Sequence, residues 1–284
     1  MFMTTLSREN KPNPTRTLFH SNPVLTRMSK ITERSDTHAA SYAGISAKTC
    51  YFLLVTLAGM IVQLLVKASL SAEPVWQTVK VFNKFTVTLS QKETVILGIV
   101  LGAGLIAELV GIFARKTIPV TGTLYSASQG YFISFLVFNV LKGYEYLGLE
   151  ALLLTVAVVA VMSWLYTSGK IQANRKFHMI LLSLLLGSVC FGVLTFIMSL
   201  IPATRSYVQA MMQNSVLMIA LDVVGLVIAA LFLISDFTVI DNCVKEGYPK
   251  EYEWSAAFGL VFTVIWIYLK ILDILIRLTG KDNK

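Results

Sequence analysis

Two acids sit where a chain seldom puts them. Asp222 lies inside the apolar run VLMIALDVVGLVIAALFLI, and Asp236 falls where that run gives out, in LFLISDFTVIDN. A carboxylate drawn out of water can bind and release a proton under physiological conditions. The two are fourteen residues apart, roughly 21 Å along a helix and about 40° apart around its axis. They therefore share a face without touching, and two acids at two depths on one face mark a candidate polar path. An aspartate facing lipid at mid-helix costs about 2.5–3.5 kcal/mol. Asp222 is thus expected to turn inward, either to a Ser, Asn or Gln on a neighbouring helix or to a water-filled path. Asp236 reads either as an ordinary interfacial acid or as a titrating group that a passing cation would touch.

Other polar residues share these surroundings. Glu108 interrupts a second apolar run, where a packing role and a path role are both open, and Gln129 in SASQGYF is expected to face the interior. Arg115 closes the Glu108 run. It reads as a positively charged anchor, or as a latch on Asp236 if the two helices are neighbours. Lys270 and Asp273 read as boundary charges that snorkel toward the membrane surface. There is no HExxH, GxSxG or P-loop pattern, and the histidines fall in the tail (His20, His38) and in a cytoplasmic loop (His178), so no enzyme is expected. Cys50, Cys190 and Cys243 show no C-x-x-C spacing, which argues against a disulfide framework or a zinc site. No cofactor or firm metal site is expected.

The elements that hold these residues are membrane helices. Only 14% of the 284 residues are charged and the mean hydropathy is +0.69, whereas a soluble domain carries roughly 25% charged residues. Seven apolar runs follow a polar segment at 1–48: about 49–66, 94–114, 118–141, 149–169, 179–201, 216–236 and 254–275, with a short tail at 276–284. A helix needs about 20 apolar residues to span a bilayer, and continuous runs exclude a barrel. The expected fold is an all-α integral membrane protein, a seven-transmembrane-helix bundle behind a mostly disordered polar N-terminal tail. Pro119 opens the third run and Pro202 closes the fifth, as prolines should.

Small residues suggest the packing. Gly98 and Gly102 form a GxxxG, continued by Ala107 and Gly111, and Gly225 with Ala229 repeats the spacing; such faces bring helix backbones close. The net charge of +8 reads as topology rather than nucleic-acid binding, since no basic stripe alternates with aromatics. With the N-terminus inside, fourteen Lys and Arg fall on cytoplasmic segments and ten on the other side, which favours a cytoplasmic N-terminus. No internal repeat of the kind a secondary transporter predicts is evident.

Three stretches resemble the bacterial branch of the Bax inhibitor-1/YccA family: SNPVLTRM (21–28), SDFTVID (235–241) and GYPKEYEWSAAFGLVFTVIWIYLKIL (247–272). The resemblance implies a seven-helix bundle with the last helix near its centre. It also implies a pH-sensitive calcium leak, in which aspartates on the sixth and seventh helices share a proton. Asp236 matches the sixth-helix acid, while Phe258 and Phe262 stand where relatives carry acids, and Arg115 corresponds loosely to a basic latch. The expected function is a passive, proton-sensitive cation (calcium) leak channel of a bacterial inner membrane. The alternative is a non-conducting regulator that binds a membrane AAA protease or another membrane partner. In both, the lipid bilayer is a partner and nucleic acid is not.

Overall fold

A long uncharged run in lipid leaves the backbone no polar partner but itself, so it closes into helix. The computed structural model describes residues 39–81, 85–170 and 173–281. Eight α-helices are found among them. They are α1 (Tyr42–Ser69), α2 (Gln91–Phe113), α3 (Ile118–Phe135), α4 (Tyr146–Thr167), α5 (Arg175–Leu200), α6 (Pro202–Gln213), α7 (Ser215–Lys245) and α8 (Tyr252–Lys281). Six are long and apolar enough to cross a membrane: α1, α2, α4, α5, α7 and α8.

These numbers do not confirm the expected count of seven spans. The third expected span, α3, has only 18 residues and is not among the six. It is rich in Ser, Thr and Gly because it packs inside the bundle, between α1 and α2 and against α8, where lipid contact is not required. A π-turn, Leu136–Val140, prolongs it. The short helix α6 begins at Pro202 and was not foreseen. Nor was an antiparallel hairpin, β1 (Gln77–Val81) with β2 (Phe85–Leu89). Its Phe85, Val87 and Leu89 turn inward, and Phe85 meets Tyr144 edge-on at 5.6 Å. Most of the polar tail at 1–48 lies outside the described residues, but α1 already begins at Tyr42, capped by Ser41.

The end where α1 and α8 begin is called the near end below. Ala40 N–H donates to the Tyr248 carbonyl there, 2.7 Å. Ser41 and Lys48 of the α1 start both bind Glu253 of α8, which is fully buried. Asp241 of α7 accepts from Tyr42 (2.8 Å) and from Tyr166 of α4 (3.0 Å). The central helix is α8, which packs on α1, α3, α4 and α7 and is the most buried of the six candidate spans.

Two glycines set the α1–α3 crossing. A Cβ on Gly59 would sit 2.2 Å from the Ala127 carbonyl oxygen, and one on Gly130 would sit 1.9 Å from that of Thr56. The backbones thus touch reciprocally. The expected GxxxG face does not behave this way, since Gly98 and Gly102 face open space. Only the deeper part of that stripe packs, with Ala107 buried and Gly104 and Gly111 against Ser128 and Thr121 of α3. Gly130→Val should therefore cost about 3 kcal/mol or more, and Gly98→Val should change stability by no more than about 0.5 kcal/mol. Thermal unfolding in detergent measures both, and equal losses would dismiss the backbone-contact crossing.

Candidate functional site

Both aspartates of α7 turn toward α8, as their shared face requires, but they meet opposite surroundings. Asp222 is 3% exposed. Its Oδ1 accepts from Lys270 Nζ at 2.8 Å and its Oδ2 from Arg277 Nε at 3.1 Å. Arg277 Nε also lies 3.1 Å from Asp273 Oδ1. The partner of Asp222 is therefore a pair of cations and not a neutral amide or hydroxyl. Lys270 does not snorkel to the surface. A Cβ on Gly225 would stand 3.1 Å from Lys270 Cε, so the missing side chain lets the lysine stem lie flat on α7 and reach inward. Lys270 keeps 30% of its side chain exposed, against 12% for Arg277. The lysine is the releasable member of the pair and the arginine the enclosed one.

Asp236 lies nearer the near end. Its Oδ2 is out of solvent and has no hydrogen-bond partner among the described residues. On α8 it faces Gly259, where a Cβ would stand 3.6 Å from Asp236 Oδ1, and the Thr263 hydroxyl lies alongside. Phe258 and Phe262 do not stand opposite this carboxyl. Their rings meet Tyr125 of α3 at 5.4 and 5.7 Å. The physical reason is helical phase, because a step of one residue turns about 100° and gives the inward position to Gly259 and Thr263. Arg115 makes no ion pair among the described residues, and its guanidinium lies 5.7 Å from the centre of the Tyr252 ring. It does not latch Asp236, since α2 packs on α3 and α8 supplies the groups that face that acid.

Glu108 is half-buried near Tyr125, and Gln129 is half-buried on α3. The structure does not bring these two into the α7–α8 seam. His178 is not in a loop. It lies in the first turn of α5, and its Nδ1 is 3.0 Å from Ser235 Oγ, beside Asp236 in sequence.

A second polar cluster was missed. Gln63 of α1, 2% exposed, accepts from Ser134 (2.8 Å) and donates to Asn139 (3.2 Å). Lys67 donates to the Phe138 carbonyl at 2.6 Å, a carbonyl within the π-turn. The signal was present in the sequence as a lone Gln inside an otherwise apolar run. Nearby, the Gly143 N–H donates to Glu145 Oε1 and holds that carboxyl below its usual range.

The family described as Bax inhibitor 1 like matches residues 22–280. No curated protein and no solved structure matches the chain.

Removing Asp222 should hurt more than removing Lys270. Asp222→Asn leaves Lys270 and Arg277 to share Asp273 and should cost about 3 kcal/mol or more, as loss of one partner of a buried pair does. Lys270→Met leaves Asp222 on Arg277 and should cost about 1 kcal/mol, the upper range for an exposed pair. Adding Lys270→Met to Asp222→Asn should recover part of the loss. Unfolding in detergent tests the set, and equal losses for the two single variants would refute the unequal roles of Lys270 and Arg277.

Proposed function

This chain belongs to the Bax inhibitor 1 like family, and on that premise we propose that it is a passive, proton-sensitive cation leak channel with calcium as its ion. In this reading α1 to α5, α7 and α8 all cross the bilayer, α3 included. The helix α6 lies along the surface at the far end. The N-terminus is cytoplasmic and the membrane is a bacterial inner membrane.

The observation that supports the reading is the Asp236 carboxyl, whose Oδ2 is held out of solvent with no partner among the described residues. A neutral carboxyl is comfortable there. A charged one is not, and it draws in water or a cation. Protonation therefore favours the closed seam and deprotonation favours opening. The Thr263 hydroxyl takes the place of a second acid, so the switch works on one carboxyl rather than on a shared proton. The path beyond it is closed by Lys270 and Arg277 on Asp222.

That same closure supports a second reading. Two ion-paired basic side chains fill the line a cation would follow, which suits a non-conducting regulator that docks on a membrane AAA protease or another membrane partner.

Calcium flux into liposomes, in acidic and basic buffers, separates the two. The channel reading expects larger flux in basic buffer, and low, pH-independent flux for Asp236→Asn, which imitates the protonated group. Folded protein with no flux in either buffer would discard the channel and favour the regulator. A pH-dependent flux untouched by the substitution would keep the channel and remove Asp236 from its switch.

A further inference from the structure

A recess of about 250 Å³ opens between the near ends of α2, α3 and α8. Its depth is apolar, walled by Ile112, Ile118, Phe258 and Phe262, and its rim is polar, with Arg115 and Ser255. The polarity follows the helix directions. Arg115 is the last lining residue of the α2 side and lies past the helix end, while Ser255 is in the first turn of α8. The polar rim is therefore at the membrane-surface end and the apolar wall lies deeper. The Ile112 wall of the recess is 58% exposed on the outer surface of the bundle.

We propose that this recess is a docking site for an anionic phospholipid, one acyl chain lying in the recess and the phosphate on Arg115. Three features select this occupant. The volume is too small for a partner helix, about 10 Å across, and suits a single chain. The order of polar rim and apolar depth is that of a phospholipid in its leaflet. The charge also fits, because Arg115 makes no ion pair among the described residues and only stacks on Tyr252, which leaves its guanidinium donors for a phosphate. Exposed Lys116 beside it adds a second positive charge, and the Ser255 hydroxyl offers a further donor at the rim.

The site bears on the proposed switch through a shared residue. Gly259 lines the recess and is also the α8 residue that faces Asp236. A lipid chain on one side of Gly259 and the carboxyl on the other both press on the same turn of α8. The inference rests on the membrane reading and not on conduction, so its test needs no flux.

The full chain is placed in nanodiscs of equimolar phosphatidylglycerol and phosphatidylcholine with matched chains, released, and its retained lipid is counted by native mass spectrometry. Phosphatidylglycerol should be retained about fivefold over phosphatidylcholine, the preference that one basic group near an anionic headgroup supplies. Arg115→Gln should abolish the preference. Ile112→Trp, at an exposed position, should fill the recess and lower retention of both lipids, with thermal unfolding confirming that both variants fold. Equal retention by the unaltered protein would overturn the proposal, as would a preference that survives Arg115→Gln or retention unchanged by Ile112→Trp in folded protein. Loss of the preference in millimolar inorganic phosphate would assign the rim to free phosphate and overturn lipid docking.

Discussion

A carboxylate buried in a bundle has to be answered by a partner or give up its charge, and the seam between α7 and α8 is arranged around that constraint. Toward the far end, Asp222 has two cations and Asp273 shares one of them. Two acids and two bases cancel there, and the helices are tied together by their charges. Toward the near end, among the described residues, Asp236 has a threonine hydroxyl beside it and one oxygen with no partner. A change of protonation is absorbed at the first place by neighbouring charges. At the second it has nowhere to go but the packing.

The faces of α7 were legible in the sequence because they need only helix geometry. Fourteen residues bring Asp222 and Asp236 to one side whatever surrounds them, and both do turn to α8. Partners were not legible, because they depend on which side chain has room. Lys270 reads as a boundary lysine by depth alone. It turns inward because Gly225, far away in sequence, leaves space for its stem. The same limit applies to Phe258 and Phe262. A family pattern places an acid in a stretch, but one residue of phase decides whether it faces α7 or α3.

Hydropathy marks the six long helices clearly and the enclosed α3 weakly. The hydroxyls and glycines of α3 are what close helix packing selects, and they lower its hydropathy for the same reason that they let α1 approach through Gly59 and Gly130. The GxxxG at Gly98 and Gly102 shows the converse. A spacing permits close approach, but it does not say that a helix is there to approach. The hairpin at 77–89 was missed because each strand has only five residues, too short a stretch for alternation to stand out between two long apolar runs.

Packing also distributes rigidity. The α1–α3 contact is backbone on backbone, and the near-end start of α8 is fixed by Glu253 on Ser41 and Lys48. The α7–α8 seam is fixed at its other end by Asp222. Between these anchors, the turn of α8 around Gly259 has a small residue, an open recess on one side and, on the other, the Asp236 carboxyl, whose Oδ2 has no partner among the described residues. Aromatic packing of Phe258 and Phe262 on Tyr125 holds the turn laterally, and no ion pair among the described residues pins it. On either side of that turn α8 is tightly packed, with Ala257 and Val261 fully buried, so a charge on Asp236 would act through the small Gly259 that faces it and the recess that the same glycine lines.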